Sequence, residues 1–200
     1  MQHTLNAEGF GVRLRPVRMA DAAFIVWLRN LEHVKGRVGD SAMDVPAQEH
    51  WLRAYFDRQG DYYFIIETLG GIAVGAYGIY DVAGGSGESG RWIIRPEVPA
   101  AIPSAIEAFE IAFGKLGLRE LRVKTVSTNR SVLSLNRKFG FRQTQIEPAA
   151  QVIGGQVVDL VNFVLQARHW PKIREGLLPL ARLAETQVRQ WEQAQPQKPI

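Results

Sequence analysis

Residues 121–141 give the chain less conformational freedom than any other stretch of similar length. Leu121-Arg-Val-Lys-Thr-Val-Ser127 alternates apolar and polar side chains with the period of a half-buried strand. The run meets Thr128 and Asn129, which suit a helix cap, continues through two helical turns, and stops at Lys138-Phe-Gly-Phe141, where glycine closes the helix. A strand, a capped short helix and the start of another strand are therefore specified as one unit.

The remaining periodicities place other elements around it. Residues 12–17 read as a strand, and Ala22, Phe24, Ile25, Trp27 and Leu28 recur at helical spacing within 19–31. Pro46 opens a second helix through Trp51, Leu52, Tyr55 and Phe56. Strands follow at 62–68 and 72–82 around Leu69-Gly-Gly71, a hairpin signal, and at 88–95 after Ala83-Gly-Gly-Ser-Gly87, read as a flexible loop. From Ser104 an amphipathic helix carries Ile106, Phe109, Ile111, Ala112, Phe113 and Leu116 up to Gly117. Beyond Phe141, the stretches 143–152 and 156–166 flank Gly154-Gly155 as a closing antiparallel pair. Successive strand and helix units imply parallel strands within a mixed sheet, so the expected fold class is α/β.

A chain of 200 residues, 46% of them hydrophobic, can bury one good core. We therefore expect one domain over residues 1–170. Over 171–200 we expect a helix whose Leu177, Leu180, Ala181, Ala184, Val188 and Trp191 cover that domain, ending in a frayed tail from Gln195. No apolar run approaches ~18 residues and the first residues lack a basic-then-apolar leader, so a soluble, cytoplasmic protein without membrane contact is expected. The lack of cysteine and the scatter of the four histidines leave no metal-ligand spacing, and no metal is expected. A net charge of +4 favours an anionic partner, but basic and acidic residues interleave along the chain. A phosphate-rich small molecule suits that dispersal better than nucleic acid, which ranks last.

Asn129, Leu135, Lys138, Gly140 and Phe141 resemble the last part of the acyl-CoA site in the GNAT superfamily of N-acetyltransferases. The order of elements over residues 12–170 is similar to that family too. The resemblance implies a mixed sheet whose two central parallel strands splay apart, pantetheine lying between them, and acetyl-CoA as acyl donor. It also implies that the cofactor pyrophosphate rests on the N-terminus of the long helix, where free N–H groups and the helix dipole favour anions. The family's glycine positions before that helix fall here on Pro99 and Ala101, with Arg95 slightly upstream of the usual basic residue. Pro99 and Pro103 have no N–H to give, so Ala100, Ala101, Ile102 and Ser104 are the expected donors, with Asn129 and Lys138 completing the cofactor contacts. The same segment also reads as a stiff connection with Pro103 in a first helical turn.

Acetyl transfer needs a base for the amine and donors for the thioester oxygen. By the resemblance, Glu88 is the first choice as base and His50 the second, while the N–H groups of Ile93 and Ile94 face the thioester oxygen. The position where many family members carry a thiolate-protonating tyrosine is Asn136, so that step is open, with Tyr77 and Tyr80 available nearby. On the acceptor side, Arg29, Asn30, His50 and Trp51 resemble the groups of members that acetylate nucleotide-linked amino sugars. Members that acetylate the α-amino group of ribosomal proteins are similar in the same region. A non-catalytic module using the C-terminal helix as an interaction surface is a further alternative, and a homodimer is compatible with the sequence.

Overall fold

The computed structural model describes residues 2–32, 34, 44–153 and 155–196. In chain order the elements are β1 (Ala7–Gly9), β2 (Val12–Pro16), α1 (Ala22–Arg29), α2 (Val45–Phe56), β3 (Tyr62–Thr68), β4 (Ala73–Ala83), β5 (Ser86–Ile94), α3 (Ala101–Phe109), β6 (Glu120–Val126), α4 (Arg130–Lys138), β7 (Arg142–Ile153), β8 (Gln156–Gln166) and α5 (Trp170–Gln193). The strands form one eight-stranded sheet in the order β1-β2-β3-β4-β5-β6-β8-β7. β5 and β6 run parallel, and every other neighbouring pair is antiparallel. The expected mixed α/β sheet is the one found.

Local chemistry explains the boundaries. Asp44 caps α2 by accepting from the Ala47 N–H at 2.8 Å, with Pro46 in the first turn. Asn129 caps α4 in the same way, accepting from the Val132 N–H at 3.3 Å. Gly140 leaves that helix at φ 78°, a conformation glycine adopts without strain. One expectation is corrected here: residues 83–87 are not a flexible loop. Ala83 pairs with Ser86 across Gly84 and Gly85, whose φ values of 57° and 80° are those a two-residue hairpin turn requires.

Helices cover both faces of the sheet. One core lies beneath α3 and α5, built on Phe109, Phe139, Phe163 and Trp170, and a second lies beneath α1 and α2, built on Ile25, Leu28, Leu52 and Tyr55. α3 continues as a π-helical segment, Glu110–Lys115, before Gly117 ends it. Along α5, Trp170, Leu177, Ala181, Ala184 and Val188 are buried, while Leu180, expected on that face, is 38% exposed. Trp170 anchors the start of α5 by donating its indole N–H to Glu110 Oε1 at 3.1 Å. The expected turn at Gly154-Gly155 and the frayed tail fall partly outside the described residues, at Gly154 and at 197–200. Among the described helices none is long and apolar enough to cross a membrane.

Candidate active site

The parallel pair holds together only at its start. Ser86, Gly87 and Glu88 oppose Glu120, Leu121 and Arg122, and beyond that point β5 keeps its pairing with β4 while β6 keeps its pairing with β8. The divergence has a local cause. Gly90 opposes Gly78 and Ile93 opposes Ala76, so Arg91 and Trp92 share one partner position opposite Tyr77, and Arg91 sits at φ 50°. A bulge of this kind bends and twists its strand. The result is a cleft of about 430 Å³, lined by Glu88, Arg91 and Trp92 of β5, Tyr80 of β4, Thr125 of β6 and Asn136 of α4, with Arg29 of α1 also reaching it.

Glu88 stands where the strands part, half-buried, and accepts a hydrogen bond from Tyr80 Oη at 3.0 Å. Burial, and after it the Glu88 carboxylate, hold the Tyr80 phenol well above its ordinary pKa, so it is a donor at neutral pH. Arg91 makes a two-pronged ion pair with buried Asp61, at 2.5 and 3.0 Å, and its guanidinium lies 4.5 Å from the Tyr80 ring centroid. Arg29 is half-buried and its pKa is lowered, chiefly by desolvation.

The amino end of α3 offers fewer donors than expected. Ala100 spends its N–H on Val98 O at 2.8 Å and Ser104 spends its own on Ala100 O at 2.9 Å, which corrects both assignments. Ala101 and Ile102, both half-buried, remain as first-turn donors. Trp92 joins this turn to the cleft, since its indole N–H donates to Ser104 Oγ at 3.3 Å.

Other expected site residues divide plainly. Asn129 lines the cleft while capping α4, whereas Lys138 is exposed and does not line it. Arg95 donates its N–H to Val74 O at 2.9 Å toward β4, so strand alternation turns the Ile93 N–H the same way and the Ile94 N–H toward the gap. Ile93 is thereby corrected as a thioester donor; the Ile94 N–H faces the gap, but Ile94 does not line the cleft and stands six residues beyond Glu88 on β5. The Arg95 guanidinium pairs with Glu97 and lies 5.3 Å from the Trp27 ring and 5.1 Å from the Trp191 ring, outside the cleft. Asn30 uses its side chain on Val26 O at 2.9 Å, ending α1. His50 is exposed on α2 and does not line the cleft. Trp51 does not line it either, its ring stacking on Tyr55 and lying under Arg58 and Arg91. Sequence reasoning passed over Arg91 and Trp92, and left Tyr80 without a place.

The family model described as an acetyltransferase (GNAT) domain matches residues 12–142. Among solved structures, a GCN5-related N-acetyltransferase from Brucella melitensis is similar at TM-score 0.77 and 19% identity, over 90% of this chain and 86% of that one. Apo FdhC, described as a nucleotide-linked sugar GNAT, is similar at TM-score 0.72 and 25% identity, over 90% of this chain and 98% of its own. A variant of the spermidine N-acetyltransferase SpeG from Vibrio cholerae is similar at TM-score 0.72 and 17% identity, over 82% of this chain and 98% of its own. Comparison with curated proteins returns no match.

Proposed function

The chain belongs to the GNAT acetyltransferase family and is an N-acetyltransferase, and we propose that its acceptor is the primary amine of a nucleotide-linked amino sugar. The observation that carries the reading is the parting of β5 and β6 immediately after Glu88, which opens a slot beside a carboxylate. Acetyl-CoA, when bound, supplies the acyl group and a thiol leaving group. The slot suits it, because the gap side of β5 has no strand partner and the first turn of α3 presents the Ala101 and Ile102 N–H groups. Those two donors hold the pyrophosphate, and Glu88 takes the proton of the incoming amine.

Arg29 supports an anionic acceptor, since it brings a guanidinium to the cleft, a group suited to phosphate. The likeness to a nucleotide-linked sugar GNAT, at 25% identity across 90% of the chain, agrees with that choice. The test is free-thiol release from acetyl-CoA with three acceptor sets: nucleotide-linked amino sugars, peptides with free α-amines, and polyamines. The highest kcat/KM is expected in the first set. A higher value for peptides would transfer the assignment to protein N-terminal acetylation, and no release with any set would leave a non-catalytic module.

A further inference from the structure

We propose that Tyr80 is the acid that protonates the departing thiolate, and that Glu88 restores its proton. The inference rests on the acetyl-transfer reading and adds a residue to it. Asn136, whose amide is no acid at neutral pH, donates to Thr125 Oγ1 at 3.0 Å and is buried, so α4 supplies no proton. Tyr77 has no exposed surface, and its hydroxyl lies 2.5 Å from Ser89 Oγ.

Tyr80 differs from both in where its hydroxyl stands. Like them it lines the cleft, but it donates to Glu88 Oε1 at 3.0 Å and lies directly over Gly90. A β-carbon at Gly90 would overlap that hydroxyl, so the absence of a side chain there is what lets the phenol reach across β5 toward the bulge. The Arg91 guanidinium, 4.5 Å from the ring centroid, favours the transient phenolate.

The proton balance closes on these groups. The amine nitrogen forms the new C–N bond with the acyl carbon, and its surplus proton passes to Glu88. As the C–S bond breaks, its electron pair goes to sulfur and the sulfur takes the Tyr80 proton. Tyr80 Oη then takes the proton from Glu88, which returns to carboxylate. Protonation of Glu88 removes the negative charge that otherwise holds the phenol proton in place, so the first transfer prepares the second.

The decisive comparison uses Tyr80→Phe with two donors, acetyl-CoA and its selenoester analogue, whose selenolate leaves without a proton at neutral pH. Tyr80→Phe should lose about 100-fold in kcat with acetyl-CoA and less than about threefold with the selenoester. Gly90→Ala, which displaces the hydroxyl while keeping it, should show the same selectivity in smaller measure. An equal loss with both donors, or an unchanged kcat with acetyl-CoA, would overturn the assignment of Tyr80 alone. No thiol release by the unsubstituted chain with any amine would overturn the acetyl-transfer reading itself.

Discussion

The two walls of the cleft are built in opposite ways. The β5 wall is irregular: it bulges at Arg91 and Trp92, places Arg91 at φ 50°, and has glycine at 87 and 90. The β6 and α4 wall is regular, with β6 pairing β8 in unbroken register from Glu120 to Val126 and α4 capped by Asn129. On the irregular wall Glu88, Tyr80 and Arg91 gather titratable and charged groups around the gap. On the regular wall Asn136 donates to Thr125 Oγ1 at 3.0 Å. The contrast teaches that the groups proposed to react sit where backbone regularity is given up, while the intact wall is held by regular pairing and a helix cap.

The strongest test of that division removes the support of the irregular wall. Asp61 is buried and holds Arg91 in place, so Asp61→Asn should cost about 3 kcal/mol in denaturant unfolding, because a half-buried guanidinium loses its partner. Next in size is Gly90→Ala, expected to lower kcat about 30-fold while leaving acetyl-CoA affinity unchanged. A rise in Kd of the same size would mean that both walls serve binding alone. Asn136→Ala probes the regular wall, and should cost about 1 kcal/mol of stability while kcat stays within about threefold. A kcat loss matching that of Gly90→Ala would break the comparison.

The smallest effect lies away from both walls. Burial, then Glu110, pushes the Glu107 carboxyl on α3 up to about 7. Between about pH 5 and pH 7 the folded chain therefore keeps a proton that the unfolded chain has released, and stability falls as pH rises through that window. Glu107→Gln should flatten the dependence and raise Tm at pH 8 by a few degrees, with kcat unchanged. A pH profile of stability that is already flat would remove this group from the account.

The fold was legible because its signals are local. Alternation over 121–127, the Asn129 cap and the Gly140 stop are all written within one stretch, and the structure places β6, α4 and β7 accordingly. Of the proposed site, the order of elements places Glu88 at the start of β5, where the parallel pair parts. Tyr80 was hidden by register. A plain hairpin over Gly84-Gly85 would set Asp81 opposite Glu88, but Asp81 adopts φ 52°, the register shifts between Tyr80 and Ala83, and Tyr80 takes that place. Arg95 was misplaced for a tertiary reason, since its guanidinium lies between Trp27 of α1 and Trp191 of α5, residues distant in the chain. Spacing alone offers Ser104 as a donor, because it does not show that α3 begins at Ala101 and consumes the Ser104 N–H.

The central claim, that the irregular wall performs the proton chemistry in a cleft that binds acetyl-CoA, is tested most directly by measuring Glu88→Gln in two assays on the same preparation. Calorimetry with acetyl-CoA should return the Kd of the unsubstituted chain, while thiol release with the best acceptor amine should fall about 100-fold in kcat. An unchanged kcat in that variant would contradict it.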